Sequence, residues 1–339
     1  MRGLRKYLTP FAPDQSGAVS VLFELGGIVV ICDAGGCTGN ICGFDEPRWH
    51  TTRSAVFSAG LRDRDAIMGR DDKLVAELAD AAAHIDARFA AIVGTPVPSV
   101  IGTDYHALKR MSERASGLPT ITIDTTGMEL YDVGASKAYV ALFDRFATET
   151  FPIEPGRIGI LGANPLDLDI AQADGLRAAL PGAVSYGMGS TLDDVIRASA
   201  AQKNVVVAPS GLAAAKLLER RFGTPYEVFD PIAHTDATVA GKRVLIVHQQ
   251  VRANTLRDQM LKAGAASVCC ATWFMQVPEL AIEDDVRLRE EDDFEELVAT
   301  GSFDMLVCDA SLWRIVPSFS GELVSLPQFA VSGELGEFA

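Results

Sequence analysis

The stretch Asp33-Ala34-Gly35-Gly36-Cys37-Thr38-Gly39-Asn40-Ile41-Cys42-Gly43 holds the residues of this chain best suited to chemistry. Four glycines in eleven residues permit tight turns and let the backbone approach a bulky ligand. Cys37 stands among them. A thiolate ringed by exposed backbone N–H groups is held charged and hydrogen-bonded, the two conditions that an iron–sulfur cluster sets. The residues alone fit a second reading, in which Gly35, Gly36 and Gly39 form a plain turn and Cys37 is a small buried hydrophobe. The four-residue gaps between Cys32, Cys37 and Cys42 match no standard zinc spacing. Cys32 lies inside an apolar run, where burial is the default.

Other segments carry weaker signals. No GxxxxGK[ST] and no GxGxxG after a strand occurs. Neither a direct ATP site nor an NAD fingerprint is therefore expected. Gly187-Met188-Gly189-Ser190-Thr191 reads as a turn, with an anion site at a helix N-terminus as the alternative. Cys269 and Cys270 are neighbours in one strand, so they point to opposite faces and are expected to pack. His248, near the end of a strand, is expected in the core or at the surface.

The elements that must position these groups follow from short Val- and Ile-rich runs alternating with segments of helical period. Strands are expected over residues 28–33, 90–94, 120–124, 157–161, 204–207, 243–247, 267–272 and 305–308. Helices are expected from about Asp72, from Asp104 (its N-cap) to Gly117, and over 136–148, 170–180, 211–222, 253–263 and 294–300. The pattern gives an α/β chain of three Rossmann-like parallel-sheet domains around a central cleft: 1–150, 151–240 and 241–339. Pro152-Ile153-Glu154-Pro155-Gly156 is the first linker. The last stretch, with Pro317 and Pro327, reads as a C-terminal extension. In such folds functional groups sit on loops at strand C-termini and in clefts between domains.

Composition narrows the function. At 339 residues with 48% apolar, each of the three units has enough material for a core. The net charge of −15 (30 Lys and Arg against 45 Asp and Glu) repels phosphate backbones, so no nucleic-acid partner is expected. The acidic run from Glu283 to Glu296 reads as a solvated helix face. No apolar run reaches the ~18 residues of a membrane span. Met1-Arg2-Gly3-Leu4-Arg5-Lys6 looks like the start of a signal peptide, but Pro10, Pro13 and Asp14 interrupt any apolar continuation. Six cysteines in a long, core-rich chain are no disulfide scaffold, and a reducing, cytoplasmic compartment is expected.

Three ordered blocks resemble the nitrogenase component 1 family. Gly35-Gly36-Cys37 matches its cluster loop. Val56-Phe57-Ser58-Ala59-Gly60-Leu61-Arg62-Asp63-Arg64-Asp65-Ala66-Ile67-Met68-Gly69 through Leu74 resembles its block of the type FTTDLxExDIVFGGxxKL. Val93-Gly94-Thr95-Pro96 through Asp104 resembles the following STCPxxxIGDD. The starts of the second and third units, at Ile158 and Arg243, fit as well. The resemblance implies an iron–sulfur cluster, of the [4Fe–4S] type, at a subunit interface, with Cys37 as ligand and Gly35, Gly36 and Gly39 cradling it. The STC cysteine is Thr95 here. The family's first cluster cysteine falls near Asp14, which stands in for it as a ligand or caps a helix beginning near Ser16. Cys42 is the candidate second thiolate. A [4Fe–4S] cluster needs four ligands, which points to a homodimer sharing one cluster on its twofold axis. The implied function is reduction of a small substrate or cofactor precursor, with electrons from an ATPase like the nitrogenase iron protein. Its rivals are a non-enzymatic scaffold or carrier for cluster assembly, and a metal- or tetrapyrrole-binding module without a cluster.

Overall fold

The Val- and Ile-rich runs form short parallel strands, and the computed structural model describes residues 5–168 and 170–333, without the side chains of 170 and 171. The signal-like start at residues 1–4 and the chain end at 334–339 lie outside the described residues. The first sheet holds β1 (Ile28–Ile31), β2 (Ala55–Ser58), β3 (Ala90–Val93) and β4 (Thr120–Ile123), in the order β2-β1-β3-β4. The second holds β5 (Ile158–Leu161), β6 (Ala183–Ser185), β7 (Lys203–Val206) and β8 (Tyr226–Val228), in the order β6-β5-β7-β8. The third holds β9 (Arg243–Val247), β10 (Ser267–Thr272), β11 (Val286–Arg287), β12 (Met305–Cys308) and β13 (Glu322–Ser325), in the order β11-β10-β9-β12-β13. Every pairing is parallel. These are the three Rossmann-like sheets expected.

Each sheet reverses its winding direction once, between β1 and β3, β5 and β7, and β9 and β12. A parallel sheet opens a crevice at the carboxyl ends of the strands on either side of such a reversal. The chain therefore has three crevices, and the glycine-rich stretch leaves β1 at the first.

Five strands were not legible in the sequence: β2, β6, β8, β11 and β13. All five lie at sheet edges, where only one flank is paired and no long apolar run is required. The C-terminal stretch is accordingly more than an extension. Residues Glu322–Ser325 complete the third sheet beside β12, and a short helix, Phe329–Ser332, follows. The acidic run is also only partly a solvated face. Glu291 is buried and accepts hydrogen bonds from the backbone N–H groups of Lys6, Tyr7 and Leu8.

In the first 150 residues the helices are α1 (Asp14–Leu22), α2 (Gly36–Asn40), α3 (Asp63–Met68), α4 (Asp71–His84), α5 (Pro96–Ile101), α6 (Tyr105–Ser116) and α7 (Tyr131–Phe146). Asp104 caps α6 as expected, accepting from His106 N and Ala107 N at 3.0 and 2.9 Å. All nine residues of α1 are buried, and it lies directly on α7. A Cβ placed on Gly134 would stand 1.7 Å from the carbonyl oxygen of Asp14, so the two backbones touch there. Gly134→Ala must push the helices apart, and a loss of about 3 kcal/mol is expected, the upper end for overpacking. Urea denaturation measures it; a loss below about 0.5 kcal/mol would contradict the close crossing.

The core is continuous between the first two sheets, where Val29, Ile31 and Val93 share a cluster with Leu161, Tyr186 and Val206. Leu8, Phe11 and Ala12 instead pack with Trp273, Phe274 and Phe294 over the third sheet. Cys269 and Cys270 face opposite layers, as adjacent strand residues must. Among the described residues no helix is long and apolar enough to cross a membrane.

Candidate metal centre

The cysteine loop is built by local hydrogen bonds. After β1 the chain passes through Cys32 and Asp33, and Gly35 turns it at φ +115°, a conformation that side-chain-bearing residues rarely adopt. Helix α2 begins there and continues into one wider helical turn, Ile41–Asp45. Asp33 is buried and organises the turn: it accepts from Thr38 N at 2.8 Å, Thr38 Oγ1 at 3.0 Å and Ser58 Oγ at 2.6 Å. The expected glycine turn is thus the start of a helix, tied to β2 through Asp33. A strand-end aspartate five residues before a threonine was the available signal, and sequence reasoning passed over it.

Cys37 is half-buried, forms no disulfide and backs onto the core cluster beneath β1. Across the β1/β3 crevice stands Thr95, fully buried, its hydroxyl donating to Cys32 O at 2.8 Å. Thr95 also lies close enough to the Cys37 sulfur to favour its thiolate. The fold therefore brings together Cys37 and the position that the family block fills with cysteine. The Cys37 thiol sits above its ordinary pKa, raised by burial and then by Asp33, with its own N–H and Thr95 pulling the other way. That reverses the expectation of a lowered pKa, because burial and the Asp33 charge outweigh the hydrogen bonds that favour the thiolate. Cys32 is buried, with its thiol pushed up to about 12 by burial.

The glycine face of the loop is uncovered. A Cβ added at Gly35, Gly36, Gly39 or Gly43 would meet no atom within 4 Å. Beside it lies an exposed apolar patch: Val97, Val100 and Ile101 on α5, Ile67 and Met68 on α3, with Val100 86% exposed. Helices α3 and α5 lie next to each other.

The other two predicted ligands have different surroundings. Cys42 is half-buried and lines a cleft of about 540 Å³ at the junction of the three sheets. Its walls come from Thr9, Pro10 and Ala12, from Cys42 through Pro47, from Leu166 after β5, and from the helix Phe329–Ser332. Asp14 is fully buried, and its carboxylate accepts from Gln15 N, Thr126 N and Gly127 N at 3.0, 2.9 and 2.7 Å. It pins α1 to the β4–α7 loop. As a metal ligand it would have to release these N–H groups. Among the described residues no group of three or more His, Cys, Asp or Glu gathers closely enough to hold a metal ion. Cys37 is therefore not part of such a group among the described residues.

Two buried networks fix the cleft. Arg48 binds Glu46 through two nitrogens at 2.8 Å, and donates to Ser20 O at 2.6 Å and Gly187 O at 3.0 Å. The Gly187–Thr191 turn closes without an external anion, since Gly189 N donates to the Glu24 carboxylate. Trp49 packs on Phe23, with ring centroids 6.2 Å apart. His248 is buried, accepting from Gln249 N at 2.8 Å, and burial lowers its pKa well below the usual value.

Beside Leu166, the buried Asp167 carboxylate accepts from the Tyr131 hydroxyl and from Gln328 Nε2. Burial raises its pKa to about 7, against those two donors. The folded chain holds this proton more tightly than the unfolded one. Its contribution to stability is therefore full below about pH 4 and is lost as pH rises through about 7. Asp167→Asn is expected to flatten that decline by on the order of 2 kcal/mol. Urea midpoints at pH 5 and pH 8 that fall equally in both proteins would contradict it.

Three parallel sheets, each reversing its winding once, with Cys37 at the first crevice and a cleft at their junction, define a class of multi-sheet α/β proteins. The nitrogenase component 1 type oxidoreductase family matches residues 15–240, and the chain belongs to that family. Over 180 residues it is 28% identical to the nitrogenase iron-molybdenum cofactor biosynthesis protein NifE of Clostridium pasteurianum. That match takes in 50% of this chain and 38% of the relative, so the chain spans well under half the length of the curated protein. Among solved structures it is similar to nitrogenase Cp1 at pH 6.5, with a TM-score of 0.75, 12% identity, and 99% and 89% of the two chains covered. Nitrogenase Cp1 at pH 5 gives 0.71 at 15% identity, over 96% and 85%. At these identities the structural likeness establishes the fold.

Proposed function

We propose that this chain is the iron–sulfur component of a small cytoplasmic reductase, acting as a homodimer with the cluster held between two copies by Cys37 of each. When bound, a cluster of the [4Fe–4S] kind supplies one-electron transfer. One observation carries the reading: Cys37 and Thr95 share the β1/β3 crevice, and a Cβ added at Gly35, Gly36, Gly39 or Gly43 would meet no atom of the described residues within 4 Å. The apolar patch on α3 and α5 supports a second copy there, since exposed apolar surface of this kind marks contact sites. Each copy must add one further donor. Cys42 ranks ahead of Asp14, whose carboxylate is committed to three backbone N–H groups.

The cleft lined by Cys42, Asp45, Glu46 and His50 is the place for a small substrate or cofactor precursor. Electrons would come from an ATP-dependent partner like the nitrogenase iron protein. Protein isolated without oxygen is expected to carry one cluster per two chains and to lose it on dilution to monomers. One cluster per chain, retained through dilution, would refute the shared site.

A second reading, a scaffold or carrier for cluster assembly, is favoured by the likeness to a Clostridium cofactor biosynthesis protein and by Thr95 in place of a cysteine. ATP-dependent reduction by a purified partner, followed through repeated turnovers, separates the two. A chain that is reduced but never turns over is a carrier.

A further inference from the structure

A second pocket, of about 420 Å³, opens where β10 and β11 end. Its floor is apolar: Phe11, Trp273 and Leu288 are buried there, with Leu130 alongside. Its rim is cationic, made by Arg5, Arg287 and Arg289. Arg287 and Arg289 are near neighbours in the chain, and the fold brings Arg5, from the other end, beside them.

Their charge is unanswered. In a chain of net charge −15, none of the three guanidiniums forms an ion pair among the described residues. Arg5 instead lies over the Phe11 ring, 3.7 Å from its centroid. The nearest acidic groups act at longer range, Glu291 on Arg5, and Asp132 and Glu129 on Arg287. Two of these carboxylates are engaged by backbone: Glu291 by Lys6, Tyr7 and Leu8, and Asp132 by Val133 and Met275. Partial desolvation beside the apolar floor disfavours the charge of Arg5 and Arg287, and Arg289 adds repulsion to Arg287. An anion between them would relieve both. Three guanidiniums suit a doubly charged head group, because arginine recognises phosphate through paired N–H donors. The apolar floor and a volume within the usual range for small-molecule sites call for a flat ring beneath that head group.

We propose that this pocket binds a small aromatic molecule bearing a phosphate monoester, its ring on the Phe11–Trp273–Leu288 floor and its phosphate among Arg5, Arg287 and Arg289. The assignment rests on no part of the cluster reading. It is open to test on protein without iron. Titration calorimetry of the full chain with 1-naphthyl phosphate at low salt should give one saturable site per chain. The double variant Arg287→Gln, Arg289→Gln should weaken it at least tenfold, which is about 1.4 kcal/mol. Both side chains are exposed and unpaired, so the variant should melt with the wild type and the loss be read as binding. 1-Naphthol alone and inorganic phosphate alone should each bind at least tenfold more weakly. The proposal is overturned by absence of saturable binding up to about 1 mM, by a double variant that binds like wild type, or by inorganic phosphate binding as tightly as the ester.

Discussion

Replacing Cys37 by alanine is expected to abolish iron and sulfide binding while leaving the fold standing. The reason is a separation of roles within a few residues. The sulfur is half-buried and backs onto the core, so its removal costs at most about 1 kcal/mol. What shapes the loop is different: Asp33 accepting from Thr38 and Ser58, and Gly35 in its left-handed turn. Those remain in the variant. Anaerobic purification of both proteins, with iron and sulfide quantified per chain and visible absorption recorded, makes the comparison. A variant with the wild-type iron content removes Cys37 from the site. A wild type that stays colourless and iron-free after reconstitution removes the cluster altogether.

The second large effect belongs to stability. Arg48→Ala should lower unfolding free energy by about 3–5 kcal/mol, the cost of leaving a buried charge without its partner. Glu46 would be left with a fully buried carboxylate, and the carbonyls of Ser20 and Gly187 would lose their donor. Arg48 joins α1, the turn after the cysteine helix and the second sheet's loops, so the damage should spread across the first two sheets. An exposed pair is the control: Arg88 and Asp193 are 52% and 62% exposed at 2.8 Å, and Arg88→Ala should change little. Denaturation midpoints for the three proteins decide the matter. Equal shifts for Arg48→Ala and Arg88→Ala would show that the buried pair is not what locks the sheets together.

How much of this could be read beforehand follows a physical divide. β9, β10 and β12 were legible to the residue, because strands buried on both faces must be continuous apolar runs. Asp104 and Gly117 marked the ends of α6, because caps are local chemistry. Edge strands such as Tyr226–Val228 and Glu322–Ser325 escaped, since half-exposed pairing leaves no such run. In the cysteine loop, Cys37 drew attention because glycine-rich spacing is unusual in itself. The raised pKa of its thiol was not, because burial and the charge of Asp33 depend on how the turn folds back. Nor was the commitment of Asp14 to N–H groups more than a hundred residues away.

The amino-acid order by itself determined the parallel α/β class, the family, and which sulfur to examine, because each is written in residues adjacent along the chain. Tertiary structure alone decided that Thr95 faces Cys37, that Cys42 opens on a cleft, and that Arg5 meets Arg287 and Arg289. Those meetings depend on strand order and helix crossing. Such geometry is set by the packing of whole layers, which no local window of residues contains.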